Sequence, residues 1–214
     1  MDWPQLVPLH AIEQTLERLE RGYYITAHIP FSEQLAALLR KMGLKTLLIV
    51  RDPRDVVVSH AKYIARTPAH FLYEEYSTLS EPEQIMRSIE GVQKSAPNAP
   101  VLLSILDRYQ SVLPWISESF NYTVRFERLI GPHGGGSRDA QIEELKNIAR
   151  HLKIRCSSRD IEQIAAQIFG GTHTFRKGVI SDWRNHFSEE HKRVFKEIAG
   201  QLLIDLGYEQ DYDW

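Results

Sequence analysis

The sequence has very little cysteine and no long apolar run. Cys156 is the one cysteine in 214 residues, so no disulfide can form within the chain, and this cysteine usage is typical of a reducing compartment. No apolar run approaches the ~20 residues that a membrane-spanning helix needs. The opening segment, MDWPQLVPLH, does not show the basic stretch followed by an apolar stretch that marks a secretory signal. These absences predict a cytoplasmic protein without a transmembrane segment.

The chain also lacks an excess of charge of either sign. Lys and Arg number 26, against 28 for Asp and Glu. A broad positive field is the main source of non-specific nucleic-acid affinity, so we expect no nucleic-acid partner, and any anion site must be a local cluster. Hydrophobic residues at 43% and charged residues at 25% are ordinary for a globular protein. Because no repeat, low-complexity tract or linker interrupts it, the range 1–214 is predicted to form one domain.

Alternating strand and helix patterns indicate an α/β fold. The stretch 22–26 is aromatic and β-branched and is predicted as a short strand, and the apolar run 44–50 is predicted as a strand buried on both faces. A helix is predicted between them at 32–42, and another begins at Asp52 and Pro53, an N-cap carboxylate followed by a proline. This order predicts a parallel sheet flanked by crossover helices. The other predicted elements are helices at 5–20, 82–90, 101–118, 138–151, 158–169 and 188–206, a strand at 122–127, and loop over the rest of 66–100.

The predicted strand 44–50 leads directly into a charged segment, RDPRD. In an open parallel sheet, ligands bind beyond the carboxyl ends of the strands, and Arg51 is the first residue past this strand. Arginine is well shaped for bidentate contact with a phosphate, and Ser59, two turns into the next helix, can add a hydroxyl to the same anion. The alternative is a surface turn in which Arg51 simply pairs with Asp55. This stretch alone leaves both interpretations open.

A second charged segment lies near the carboxyl end and reads HTFRKGVISDWRNHFS. Arg176 and Lys177 stand beside Gly178, which lets the backbone come close to a ligand. Trp183 and Phe187 are predicted to pack against the core and hold the segment there. The alternative is a basic surface loop with two aromatic anchors.

A histidine follows the first predicted strand, in the stretch TAHIP. His28 would then lie on the same edge of the sheet as Arg51. Histidine is the side chain best placed to take a proton from a hydroxyl near neutral pH, which makes His28 a candidate general base. Since the chain has nine histidines, a structural role is the alternative.

Together the three segments resemble the sulfotransferases that use 3′-phosphoadenosine 5′-phosphosulfate (PAPS). RDPRDVVVSHAKY is similar to the family's 3′-phosphate signature, and FRKGVISDWRNHF is similar to its carboxyl-terminal nucleotide loop. The resemblance implies a P-loop nucleoside-triphosphate-hydrolase-like fold, PAPS as the sulfuryl donor with no metal, and transfer to an acceptor hydroxyl. The site residues that it implies are His28 as the catalytic base, Arg51, Ser59, Arg176, Lys177 and Gly178 at the 3′-phosphate, and Phe126 near the adenine.

Two features depart from the pattern of the family. Ser181 stands where the nucleotide loop usually has a second glycine. The strand, the loop of Pro-Lys-Ser-Gly-Thr-Thr type and the helix with which relatives begin have no counterpart, which predicts an amino-terminally shortened form of the fold. In relatives that loop holds the 5′-phosphosulfate. The glycines at 134–137 follow Pro132 and lack the lysine, so a turn is predicted there.

The sequence does not specify the acceptor. Its contacts are expected from 60–80 and 90–110, where aromatic side chains suit a small-molecule, lipid or carbohydrate hydroxyl equally well, or simply pack in the core. A non-catalytic nucleotide-binding or scaffold protein derived from a sulfotransferase is the alternative function, and homo-oligomerisation is left open. A nucleoside-phosphate kinase is excluded because no Gly-Lys-Ser/Thr loop is present.

Overall fold

Two parallel strands form the sheet. The computed structural model describes residues 7–92, 101–170 and 177–214. Strand β1 (Thr46–Val50) pairs in parallel with β2 (Asn121–Arg125), and Val50 lies opposite Arg125 at the carboxyl ends. The predicted parallel sheet is confirmed. Because the strands are in register, the residues that follow them emerge side by side at one edge of the sheet.

Helices flank the two strands, most of them at the positions that the sequence predicts. Those of the described residues are α1 (Leu9–Glu17), α2 (Glu33–Lys41), α3 (Pro53–Ala65), α4 (Tyr73–Thr78), α5 (Glu81–Glu90), α6 (Ile105–Val112), α7 (Phe126–Leu129), α8 (Arg138–Leu152), α9 (Ser158–Gln167) and α10 (Glu189–Asp205). Short 3₁₀ helices occur at Leu113–Ser117, Pro132–Gly134 and Asp182–Asn185. None of the helices in the described ranges combines the length and apolar character needed to cross a bilayer.

Side-chain caps begin three of the helices where the sequence predicts. The Asp52 carboxylate accepts a hydrogen bond from the backbone N–H of Arg54, and Pro53 occupies the first helical position of α3. Ser32 caps α2 and Ser188 caps α10 in the same way. The cap on α3 fixes the start of that helix directly behind the carboxyl end of β1.

The predicted strand at 22–26 is wrong. These residues form no regular structure, and Tyr23, Tyr24 and Ile25 are 71%, 84% and 47% exposed. A strand needs a neighbour to satisfy its backbone, and the sheet of the described residues contains β1 and β2 alone. An aromatic and β-branched pattern is therefore not sufficient here, because no partner strand lies beside it.

The loop predicted over most of 66–100 contains a further helix, α4. Its Tyr76 is fully buried, and the hydroxyl lies 3.1 Å from that of Ser88 in α5. Burial raises the pKa of Tyr76 to about 12. Of the two roles considered for the aromatic residues of 60–80, acceptor contact or core packing, Tyr76 has the second. Residues 93–100 lie outside the described part of the chain.

The main hydrophobic core brings α3, α5, α6 and α10 together with the segment that follows residue 177. Trp183 and Phe187 belong to this core and are 1% and 8% exposed. The prediction that these two aromatic residues hold the segment against the core is confirmed. A second cluster packs α2 around Trp115 and Phe120, and a third joins α8 to α9.

Candidate functional site

An arginine and an aromatic ring meet where the two strands end. Arg51 follows Val50, and Phe126 follows its register partner, Arg125. The guanidinium carbon of Arg51 lies 4.3 Å from the centroid of the Phe126 ring, which is cation–π distance. Parallel in-register pairing therefore places these two residues, 75 positions apart in sequence, in direct contact.

Arg51 makes two further contacts through one nitrogen. Its Nη2 donates to the carbonyl oxygen of Val179 at 2.9 Å and lies 3.5 Å from Oδ2 of Asp55. The Nε atom is buried and has no hydrogen-bond partner among the described residues, although the side chain as a whole is 17% exposed. The Arg51–Asp55 pair considered as the alternative is therefore present. It still leaves a buried N–H of the guanidinium with unused capacity to bond an acceptor.

Asp55 attaches the segment after residue 177 to helix α3. Its two carboxylate oxygens accept hydrogen bonds from the backbone N–H groups of Ser181 and Trp183, each at 2.9 Å. The side chain is fully buried. Burial raises the pKa of Asp55, while the positive charge of Arg51 and the bond from Trp183 oppose that rise. Asp55 therefore fixes the backbone at Ser181 and Trp183, and so keeps the carbonyl of Val179 beside Arg51.

A turn rich in glycine supports the same segment from its other side. The backbone N–H of Ile180 donates to the carbonyl oxygen of Gly134 at 2.9 Å. A Cβ on Gly134 would lie 2.4 Å from the carbonyl oxygen of Gly178, so only glycine fits at this contact. The predicted turn at 131–137 is confirmed, and it packs directly against the segment of Gly178. Ser181 has a φ of +61° and lies in the left-handed region, a conformation that glycine adopts without the steric cost of a Cβ.

A chain of charged side chains runs from Lys177 to helix α3. Lys177 Nζ lies 3.2 Å from the buried carboxylate of Asp182, and the opposite oxygen of Asp182 faces His186 Nε2 at 3.4 Å. His186 Nδ1 lies 2.6 Å from Glu81, which also contacts Lys62 of α3 at 2.9 Å. The hydrogen bonds from Lys62 and His186 lower the pKa of Glu81 against its small burial. The Lys177 ammonium is thus positioned by Asp182, while half of the side chain remains exposed.

Arg54 is a structural residue and is almost fully buried. Its guanidinium forms an ion pair with Asp52 at 2.8 Å and with Glu209 at 2.5 Å. It also lies 4.1 and 4.5 Å from the ring centroids of Trp183 and Trp214. At 2% exposure it cannot reach a ligand. Of the two arginines in RDPRD, Arg51 alone is accessible.

Comparison with solved structures identifies the fold that carries this site. Mouse sulfotransferase SULT7A1 complexed with PAP matches with a TM-score of 0.66 at 20% identity, covering 91% of this chain and 71% of that chain. The chain has the sulfotransferase fold. Retinol dehydratase in complex with androsterone and inactive cofactor PAP gives a TM-score of 0.61 at 16% identity, covering 90% of this chain and 57% of that chain. No protein-family model matches the sequence, and no curated protein gives a significant match.

Within this sulfotransferase fold, the predicted site residues are not all brought together. Arg51 and Phe126 touch, and Gly178 precedes the Val179 carbonyl that Arg51 binds. Ser59 is half-buried on α3, one turn after Asp55 on the same face. The roles of these residues in nucleotide binding stay predictions.

The structure describes one of the two remaining predicted site residues, His28, and not the other. Arg176 lies outside the described residues. His28 is exposed, and its segment is attached to the region of α6, where Ser111 accepts a bond from Phe31 and Trp115 donates to Ile29. The same helix contacts the candidate site, because the Tyr109 hydroxyl of α6 donates to the carbonyl oxygen of Arg51 at 2.6 Å. The role of His28 stays a prediction.

Sequence reasoning missed a half-buried glutamate next to this cluster. Glu127 follows Phe126; its Oε1 accepts from the backbone N–H of Asp52 at 2.8 Å, and its Oε2 accepts from the hydroxyl of Tyr208 at 3.1 Å. Burial raises the pKa of Glu127, with these hydrogen bonds opposing the rise. Glu127 ties the end of β2 to the start of α3, and so supports the position of Arg51. No local sequence signal distinguishes it from an exposed glutamate.

Proposed function

We propose that this protein is a member of the sulfotransferase family, with a single domain over 1–214, and that it transfers a sulfuryl group from PAPS to an acceptor hydroxyl. The observation that carries the proposal is the environment of Arg51. Its guanidinium contacts the ring of Phe126 and the carbonyl of Val179, and its buried Nε–H has no acceptor within 7–92, 101–170 and 177–214. An anion oxygen is the partner that such a group lacks.

The nucleotide would be recognised at the carboxyl edge of the sheet. Arg51 and Ser59 would bind the 3′-phosphate from α3, and Lys177 and Gly178, with Arg176, would close on it from the opposite side. A phosphate accepts several charged hydrogen bonds at once, each about twice as strong as a neutral one. The fixed position of the 178–181 backbone favours binding because little loop entropy is lost.

The adenine would stack near Phe126. That ring already contacts the Arg51 guanidinium on one face. A base placed next to the ring would bring the 3′-phosphate of its ribose within reach of the same guanidinium. This arrangement accounts for an aromatic residue directly after β2.

His28 would act as the general base. In the transfer, the acceptor oxygen forms a bond to sulfur as the bond from sulfur to the 5′-phosphate oxygen breaks, and the acceptor proton passes to an imidazole nitrogen of His28. A positioned base of this kind contributes roughly 100- to 10,000-fold to the rate. Adenosine 3′,5′-bisphosphate (PAP) leaves, and the two structural neighbours are both complexes with PAP.

The remaining assignments are broader. We propose a small-molecule, lipid or carbohydrate acceptor and a cytoplasmic location, with no metal and no nucleic acid, and homo-oligomerisation stays open. A nucleotide-binding or scaffold protein without catalysis is the second candidate. The observation that favours it is that the His28 side chain is exposed to solvent, whereas a general base acts best in a site that excludes water.

Turnover separates the two candidates. The purified protein is incubated with PAPS and a mixture of phenolic, alcoholic and sugar acceptors, and release of PAP is followed with time. Catalysis predicts acceptor-dependent release that His28→Ala abolishes while PAP binding stays within about threefold of wild type. His10→Ala, at an exposed histidine before the first strand, is the matched control. PAP binding without acceptor-dependent release would select the scaffold.

A further inference from the structure

One stretch of the chain concentrates positive charge without any acidic residue. Residues 145–159, which span the end of α8 and the start of α9, contain no Asp or Glu. The cations of this stretch are Lys146, Arg150, Lys153, Arg155 and Arg159. Because the whole chain has more acidic than basic residues, removing this stretch leaves the remainder clearly negative. The positive charge is therefore local and directional.

All five of these cations are exposed, and none forms an ion pair with an acid of the described residues. The neighbouring arginines behave differently. Arg128 pairs with Glu143 and Glu144, and Arg138 pairs with Glu162. Three acids of this part of the fold are thus engaged by other arginines, and Asp160 accepts hydrogen bonds from Ser157.

Three of the cations share a groove with apolar residues. Lys146, Arg150 and Arg155 line an open groove of about 570 Å³ together with Ile154 and Ile161. Ile154 is 55% exposed and stands between Lys153 and Arg155 in the turn that joins the helices. The surface therefore presents an exposed aliphatic side chain with a cation on either side of it.

This surface is far from the candidate nucleotide site. His151, beside Arg150, contacts the carbonyl oxygen of Thr46 through Nε2 at 3.1 Å. Thr46 is the first residue of β1, whereas Arg51 follows its last, about 17 Å away along the strand. The five cations lie at the amino end of the sheet and the nucleotide site at its carboxyl end. The two are therefore separate surfaces.

We propose that this surface, which we call the α8–α9 basic surface, binds anionic phospholipid bilayers. It comprises the five cations and Ile154. Each Lys or Arg near an anionic leaflet contributes about fivefold to binding, and an inserted aliphatic residue adds buried apolar area, the other contribution to binding at a membrane interface. The negative remainder of the chain is repelled by the same leaflet, which orients this surface toward the membrane. The candidate nucleotide site then faces away from the bilayer.

Vesicle pelleting tests the proposal. Wild type is expected to pellet with vesicles of phosphatidylcholine and phosphatidylserine at low salt, and not with phosphatidylcholine alone. Neutralising three groove cations in K146Q/R150Q/R155Q lowers the partition coefficient about 100-fold, because each loss costs about fivefold. R18Q/R21Q/R66Q removes the same charge from exposed positions elsewhere and stays within about threefold of wild type. Ile154→Ser lowers binding several-fold, and the loss persists at raised salt.

Several results would overturn the proposal. They are equal pelleting of wild type with both vesicle types, equal loss in the two triple variants, or no loss in the first. Binding of poly-glutamate that depends on the three groove cations, with no pelleting on phosphatidylserine, would assign the surface to an acidic protein instead. If K146Q/R150Q/R155Q unfolds at the same urea midpoint as wild type, misfolding is excluded as the cause of its weaker vesicle binding.

Discussion

Replacing Asp55 tests how the candidate site is held together. Asp55→Ala removes two hydrogen bonds from backbone N–H groups, those of Ser181 and Trp183, and the counter-charge of Arg51. A hydrogen bond to a charged group contributes about 1.5–3 kcal/mol, and breaking a buried ion pair costs about 3–5 kcal/mol. Since these overlap, we expect the free energy of unfolding to fall by about 3–5 kcal/mol. That is a large share of the total for a domain of this kind.

Urea unfolding followed by circular dichroism measures this loss. Asp55→Asn keeps one acceptor oxygen but points an N–H₂ group at a second donor, so it should lose about half as much. The control is Asp139→Ala, an exposed acid in the first turn of α8, which should cost less than about 1 kcal/mol. If Asp55→Ala also cost less than about 1 kcal/mol, the carboxylate would not be what fixes the segment beside Arg51.

Three further predictions concern single residues around the same cluster. Ser181→Gly removes a left-handed conformation from a residue with a Cβ and should raise the free energy of unfolding by about 0.5–1 kcal/mol in urea, after the entropy cost of glycine; a loss of stability would show that the Ser181 side chain contributes more than its backbone costs. Burial raises the pKa of Glu127 above 4.5, its ordinary value. Between pH 4.5 and the raised pKa, the folded state keeps a proton that the unfolded state has lost, so the free energy of unfolding falls as the pH rises. Glu127→Gln should therefore make the stability–pH slope shallower between pH 4.5 and neutrality, and an unchanged slope would exclude Glu127 as its source. Phe126→Leu removes the aromatic face from Arg51 and should weaken PAP binding about 3- to 30-fold in calorimetry, with Phe169→Leu, far from the strand ends in sequence, as the control.

Local patterns predicted much of the fold. The run 44–50 contains β1 (Thr46–Val50), and Asp52 with Pro53 began α3 as predicted, because a cap is determined by adjacent residues. The prediction that this strand is buried on both faces is wrong, since Leu47 and Ile49 on one face are 39% and 60% exposed. The segment 22–26 has an equally good strand pattern but no partner, which only tertiary structure reveals. Helix α4 was missed because its signal is short and lies between prolines.

The site was predictable in its residue types and much less so in its contacts. The position of Arg51 past a strand could be deduced from the sequence, and so could the anchoring by Trp183. The support from Glu127 and the close packing of Gly134 against Gly178 could not, because they join segments about 44 to 75 positions apart. Sheet register and loop docking, which create these contacts, have no local signature.

Calorimetric titration with PAP and with adenosine 5′-monophosphate tests the central claim most directly, because the two nucleotides differ only by the 3′-phosphate. If Arg51 binds that phosphate, wild type should prefer PAP by about 10- to 150-fold, the value of one charged hydrogen bond. Arg51→Ala should lose most of this preference, while Arg18→Ala, at an exposed arginine outside the site, should keep it. Equal affinity of wild type for the two nucleotides, or an undiminished preference in Arg51→Ala, would contradict the proposed 3′-phosphate site.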